Sequence, residues 1–230
     1  MMEERKQSFG QKSDKEHESE RELTLIFIRH GETAGNAQKR YIGKTDVPLS
    51  KAGKSALRAL RHEYEDKGFI DDDVCPFVVV SPMRRCIQSA EILFPLVVPF
   101  PVRKFCEIDF GLFEGKNYDE LMADETLKVE YQKWIDSNGE APFPGGESKA
   151  EFIERIKAGF ADFLEMIRTR GCHTATAIVH GGTIMALMSS FCGGSFYDYQ
   201  VKNGHGFICT LDLAAYTRGD TGAMSILQRF

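Results

Sequence analysis

The sequence predicts an α/β fold, a three-layer α/β/α sandwich around a mostly parallel central sheet. Three observations predict it. Short apolar runs at 23–29, 76–80 and 175–179 alternate with longer segments whose apolar residues recur at helical spacing. The runs are dense rather than alternating, as in strands buried on both faces. Each run ends in polar or glycine residues, and in such sheets the site lies beyond the carboxyl ends of the strands.

The elements follow in order. Residues 1–21 are polar, mixed in charge and nearly free of large apolar side chains, so they read as a disordered N-terminal tail. One domain is expected over 22–230. Residues 23–29 (LTLIFIR) form the first central strand. Ser50 is a helix N-cap, and Leu57, Leu60 and Tyr64 share one face of the helix behind it. Residues 76–80 (PFVVV) form the second strand, and Ser81 opens a helix with Pro82 at its first position, running to Phe94. A proline-broken third strand is expected within 97–105. Residues 107–147 are loop-rich, with short helical stretches at 118–122 and 127–135, and hold the only tryptophan, Trp134. They read as a cap insertion over the edge where the loops meet. Ser148 and Glu151 form a capping box for a helix over 148–169, with Phe152, Ile156, Phe160, Phe163 and Ile167 at helical spacing. A strand at 175–179, a helix to Phe191, and strands at 207–213 and 224–228 complete the chain.

A net charge of -5 argues against general nucleic-acid binding, which needs a basic surface. No apolar run approaches the roughly 18 residues needed to span a bilayer, and the N-terminus lacks an apolar export region. None of the six cysteines forms a C-x-x-C pair. The expectation is a cytoplasmic protein with reduced thiols, a monomer or homodimer acting on a small molecule, with no nucleic acid or membrane partner.

Three strand ends carry the chemistry. His30 closes the first strand, between Arg29 and Gly31. A neutral imidazole with one nitrogen fixed by a hydrogen bond presents the other as a nucleophile towards phosphorus. Arg29 offers a planar donor fork for phosphate oxygens. Ser81-Pro82-Met83-Arg84-Arg85 lies where a strand gives way to a helix, a place that favours anions; spacing alone does not choose between the two arginines. His180-Gly181-Gly182-Thr183 repeats the theme, with glycines that let a ligand approach the backbone. Glu107, near the pocket edge, has the chemistry of a general acid if its pKa is raised. Alone, each residue has an ordinary structural role; together they suggest an anion pocket.

The ordered set resembles the histidine phosphatase (phosphoglycerate mutase-like) superfamily. The matching segments are Arg29-His30-Gly31-Glu32-Thr33 with Asn36, the run from Tyr41 to Ser50, Ser81 to Ala90, Glu107 to Gly115, Pro144 to Ser148, and Val179 to Thr183. The resemblance covers residues 23–213 and implies a phosphoglycerate mutase-like fold. It implies that His30 attacks phosphorus and becomes phosphorylated, and that Arg29, Asn36, Arg85 and His180 hold the phosphoryl oxygens. It settles the arginine choice on Arg85. It implies that Glu107 protonates the leaving group, then activates water, and that Ile42, Gly43 and Gly181 line the substrate. It implies no metal and no cofactor; two guanidiniums and imidazoles supply the charge stabilisation. Two positions depart from the family pattern: Gly35 and Phe113 stand where tryptophan is usual.

The short 107–148 segment resembles the α-ribazole phosphatase and broad-specificity phosphatase branch. The implied activity is metal-independent hydrolysis of a small phosphate monoester, with α-ribazole 5′-phosphate as the leading substrate. Phe110, Phe113, Tyr118 and Trp134 are the candidates to line the leaving-group pocket. The alternatives are a cofactor-dependent phosphoglycerate mutase and a non-catalytic module that binds a phosphorylated ligand.

Overall fold

A computed structural model describes residues 22–69 and 77–230. The tail expected at 1–21, Cys75 and the first residue of the strand expected at 76–80 lie outside the described residues. The strands are β1 (Glu22–Arg29), β2 (Val78–Val80), β3 (Phe100–Pro101), β4 (Thr174–Val179), β5 (Gly206–Asp212) and β6 (Met224–Arg229), in the sheet order β3-β2-β4-β1-β5-β6. β1, β4, β2 and β3 are mutually parallel, and β5 runs against both β1 and β6. The mixed, mostly parallel sheet is the one the sequence predicts.

Residue alternation along the strands builds two cores. Leu25 and Phe27 of β1, Val79 of β2 and Ala177 and Val179 of β4 face one side. Ile26, Ile28, Val78, Val80 and Ile178 face the other. The first side is covered by α6 (Lys149–Arg170) and α7 (Gly181–Phe191), the second by α2 (Lys51–Asp66) and α3 (Arg84–Leu93). Helix α6 starts at the expected capping box, with Ser148 and Glu151 satisfying each other's backbone N–H groups. It buries Phe152, Ile156, Phe160, Phe163 and Ile167, each contributing about 1.5–3 kcal/mol. Phe160 lies 4.9 Å from the ring of Phe191 and 6.3 Å from that of Phe27, so Phe160→Ala would open the middle of this layer.

The remaining helices are α1 (Ala34–Ala37), α4 (Tyr118–Ala123), α5 (Glu125–Asp136) and α8 (Leu213–Arg218). Three expectations need correction. Helix α3 begins at Arg84, not Ser81, because the Ser81 hydroxyl is engaged elsewhere and Asp46 accepts the Arg84 N–H at 2.7 Å. The third strand is only two residues long and passes into a 3-10 turn at Arg103–Phe105. Helix α8 was not expected; Asp212 caps its start and Gly219 ends it at φ 81°. Among the described residues, no helix is long and apolar enough to cross a membrane, and Cys86, Cys106, Cys172, Cys192 and Cys209 are free thiols.

Candidate active site

The strand ends are level. Arg29 stands opposite Val179 and Val80 opposite Ile178, so the residues that follow β1, β4 and β2 emerge side by side. The backbone N–H groups of His30 and Ser81 donate to Val179 and Ile178 at 2.9 and 3.1 Å, which holds that alignment one residue further. Adjacent strands lie about 4.8 Å apart, and the rings of His30 and His180 follow suit: their centroids are 5.2 Å apart, edge to face at 66°.

His30 is buried, and its Nδ1 lies 2.7 Å from the Gly31 carbonyl. A carbonyl only accepts, so Nδ1 carries the proton and Nε2 keeps its lone pair. Burial, then the charges of Arg85 and Arg29, push the His30 pKa well below 6.5, against the opposing pull of the Gly31 carbonyl. The ring is neutral at pH 7, the state a nucleophile needs.

Arg85 is fully buried, while Arg84 is exposed. The structure therefore places Arg85 in the site. Its guanidinium donates to the carbonyls of Thr45 (2.9 Å) and Gly43 (2.8 Å), more weakly to that of Ile42 (3.5 Å), and through Nε to His180 Nδ1 (3.2 Å). Ile42 and Gly43 thus enter as carbonyls that fix Arg85. Arg29 differs: Nη1 donates to the Val201 carbonyl at 2.7 Å, but its buried Nε has no hydrogen-bond partner. An unpaired buried donor on a cation is costly unless a ligand uses it.

His180 is buried, with both nitrogens occupied. A guanidinium only donates, so Nδ1 accepts from Arg85, and Nε2 must carry the proton it gives to Ser81 Oγ at 2.7 Å. Burial, Arg85 and His30 together keep its pKa well below 6.5. The resemblance implied that His180 holds a phosphoryl oxygen; in this arrangement no N–H of its ring is free to do so. The Cys86 thiol packs against the same ring, 3.6 Å from Nε2.

Glu107 reaches the site from the loop after the 3-10 turn. Its carboxylate accepts from its neighbour Ile108 N–H (3.0 Å) and from Gly182 N–H (3.1 Å) at the start of α7. A Cβ at position 182 would lie 2.3 Å from Glu107 Oε1, so only glycine admits the carboxylate there. Desolvation raises the Glu107 pKa above 4.5, outweighing the backbone donors and the two guanidiniums. Gly181 packs beside the Arg29 side chain, where a Cβ would lie 3.4 Å from Nε.

Asn36 stands further out. Its side-chain oxygen accepts from the Thr33 N–H, capping α1. Its link to the other residues runs through Asn203, whose amide donates to the His30 carbonyl (3.0 Å) and to Asn36 Oδ1 (3.3 Å). Of the aromatic candidates, Phe110 and Trp134 line a pocket of about 260 Å³ that also includes Arg29, Glu107 and Gly182. Phe113 is fully buried behind it and Tyr118 is exposed, so neither lines it. The tryptophan-to-phenylalanine departure at 113 therefore lies in the core. At Gly35 a side chain would meet Ile42 at 2.5 Å, which accounts for the small residue there.

Sequence reasoning missed two residues. Ser81, taken as a helix start, is the partner of His180. Glu114, quoted within a motif but given no role, gathers the loop that holds Arg85: its carboxylate accepts from the N–H groups of Gly43 and Lys44 and from the Thr45 hydroxyl. An acidic residue followed by glycine, seven residues after Glu107, was the available signal.

Comparison with known proteins bears on the family and the fold. Phosphoserine phosphatase 1 of Hydrogenobacter thermophilus is 28% identical over 189 residues, covering 79% of this chain and 83% of that protein. The crystal structure of the alpha-ribazole phosphatase from Shigella flexneri shares the fold, with a TM-score of 0.69 at 21% identity, covering 83% of this chain and 90% of that one. So does phosphoglycerate mutase from Bacillus anthracis, with a TM-score of 0.69 at 20% identity over 93% and 95% of the two chains. The family profile spans residues 25–218, from the first buried strand to the helix after β5, and so the chain belongs to the histidine phosphatase superfamily, branch 1.

Proposed function

We propose that this phosphatase hydrolyses small phosphate monoesters without a metal, through a phosphohistidine at His30. The observation that carries the reading is the His30 ring: Nδ1 is spent on the Gly31 carbonyl, so a neutral Nε2 is free beside the buried Arg85 and half-buried Arg29 guanidiniums. Nε2 attacks phosphorus, and the bond from phosphorus to the ester oxygen breaks. Glu107, with its raised pKa, gives that oxygen a proton, releasing the alcohol. The resulting carboxylate then takes a proton from water, whose oxygen attacks phosphorus as the P–N bond breaks. Ester and water become alcohol and phosphate, and His30 and Glu107 return to their starting states. Arg29 and Arg85 offset the charge on the phosphoryl oxygens throughout.

The pocket beside Glu107 favours a flat leaving group. Tyr41, Phe110, Phe143 and Trp134 form one wall, with successive ring centroids 5.1, 5.0 and 5.1 Å apart. That supports α-ribazole 5′-phosphate as the first substrate to assay, ahead of phosphoserine, whose leaving group offers no flat face. The test is turnover of phenyl phosphate in excess chelator, with acid-labile, base-stable phosphate trapped on the protein. His30→Ala should abolish both signals. Turnover that survives His30→Ala, or disappears with chelator, sinks the proposal. Heavy-oxygen water separates hydrolysis from the mutase alternative, since only hydrolysis places solvent oxygen in the released phosphate.

A further inference from the structure

The leaving-group pocket is not apolar throughout. From Phe110, packed against Gly43 beside Arg85's carbonyl anchors, its wall runs two ring-to-ring steps to Trp134. At that far end the indole Nε1–H is buried and has no hydrogen-bond partner. Lys149 lines the same pocket, and its Nζ stands 5.8 and 5.7 Å from the ring centres of Phe196 and Tyr197, which also line it. The Lys149 side chain is only 16% exposed, and its protein counter-ion is Glu140, a side chain 63% exposed. The edge of Trp134 and the Tyr197 hydroxyl close on Gly139, where a Cβ would lie 3.4 and 2.7 Å from them.

The far end therefore holds donors: the ammonium of a largely buried lysine side chain, a buried indole N–H without a partner and a phenol. An unused buried donor costs stability, and a largely buried cation favours an anion that is itself held in place. Glu140, mostly in water, is a weak competitor for that cation. We propose that the pocket selects phosphate monoesters whose flat leaving group carries a carboxylate at the end remote from the phosphate, read by Lys149 and Trp134. This rests on the phosphatase reading and narrows it. α-Ribazole 5′-phosphate meets the requirement for flatness but has no anion at that end, so a carboxylated aryl ester should outrank it.

The experiment compares 4-carboxyphenyl phosphate, phenyl phosphate and 4-(aminomethyl)phenyl phosphate. In the wild type, kcat/KM should fall in that order, the carboxylate leading phenyl by about tenfold or more, as expected for one partly desolvated charge-assisted hydrogen bond. Lys149→Met should bring the carboxyl-to-phenyl ratio close to that set by leaving-group acidity alone, which is common to both proteins; Lys149→Arg should retain the preference. Trp134→Phe should reduce it. Because Trp134 is the only tryptophan, its fluorescence reports binding of the non-hydrolysable phosphonates independently of turnover, and 4-carboxyphenylphosphonate should bind about tenfold tighter than phenylphosphonate. No carboxylate preference, or one that survives Lys149→Met, overturns the inference. Phosphonates that bind in the stated order while no ester turns over would overturn the hydrolysis reading and leave this one standing.

Discussion

Glu114 touches no reacting group, yet its removal should slow the reaction. Its carboxylate accepts from Gly43 N–H and Lys44 N–H at 2.9 Å each and from the Thr45 hydroxyl at 2.7 Å, with a longer contact to Phe110 N–H at 3.4 Å. The carbonyls of Gly43 and Thr45, in the same loop, are the two closest acceptors of the Arg85 guanidinium. Glu114→Ala removes the post to which that loop is tied. Hydrogen bonds to a charged group contribute about 1.5–3 kcal/mol each when buried. Glu114 is only half-buried, so three of them together should amount to about 2–4 kcal/mol of stability after screening. The catalytic loss has a different origin. Once its two carbonyls can drift, Arg85 is no longer held where charge develops, and misplacement by about 1 Å costs on the order of 100-fold. The assay is steady-state kinetics with phenyl phosphate beside a thermal melt. A positioning role predicts that kcat and kcat/KM fall together. Glu114→Gln keeps one acceptor and should fall in between. A variant that melts earlier but keeps its kcat would refute the reasoning, because the loop would then be stabilised by Glu114 without Arg85 depending on it.

Gly182→Ala should displace the Glu107 carboxylate, since the new Cβ would lie 2.3 Å from Oε1. Phenyl phosphate turnover should fall by at least about tenfold, within the range for general-acid loss, and 4-nitrophenyl phosphate, whose leaving group needs no proton, much less; an equal loss on both would remove Glu107 from that role. The pH profile follows from two opposite shifts. The His30 pKa lies well below 6.5, so the nucleophile stays free until pH falls well under that value, whereas the Glu107 pKa is raised above 4.5, so the acid form persists higher than usual and is lost as pH rises. Activity should decline on the alkaline side, and Glu107→Gln should remove that limb along with about 10²–10⁴ of the rate. Vanadate binding should take up a proton, because an anion between the guanidiniums offsets the Arg85 charge that, after burial itself, holds the His180 pKa down. Calorimetry in two buffers of different ionisation enthalpy measures it, and binding without uptake would leave the His180 ring neutral.

What was legible in the sequence depended on how locally each feature is encoded. The buried strands announce themselves as dense apolar runs because both faces are covered, α6 by the helical period of its buried face, and the capping box places the α6 start to within a residue. The convergence of His30, Arg85 and His180 was legible because parallel strands bring their carboxyl ends together whatever lies between them. The start of α3 was misread because serine before proline is an ordinary capping signal, and nothing nearby shows that the hydroxyl is claimed by a ring 99 residues away. The same holds for Phe113 and Trp134. Both are aromatic residues in one loop-rich segment, and only packing decides that one is core and the other pocket wall. Helix α8 was missed although Asp212 and Gly219 bracket it, because its six residues are too few to establish a period.

The site's polar atoms fall into two groups, and the division bears on which residues can answer a substrate. Arg85 and His180 are tied to each other and to Thr45, Gly43 and Ser81, so the ring N–H of His180 and all but one of the five N–H groups of Arg85 are engaged within the protein. Arg29 Nε and His30 Nε2 are not spent; each belongs to a side chain anchored by its other atoms, on the Val201 and Gly31 carbonyls respectively. Anchoring at one atom with another left open is what preorganisation requires, since the open atom is aimed before the substrate arrives and little reorganisation accompanies reaction. The tied pair has a different use. A buried guanidinium bonded to a neutral imidazole keeps its full positive charge beside the phosphoryl position, yet its geometry shifts only if that hydrogen bond is exchanged for one to the incoming anion. The first phosphoryl contacts should therefore fall on β1, through Arg29 and His30, with Arg85 supplying its charge at once and the Arg85 Nε–His180 pair giving direct contacts only after it parts.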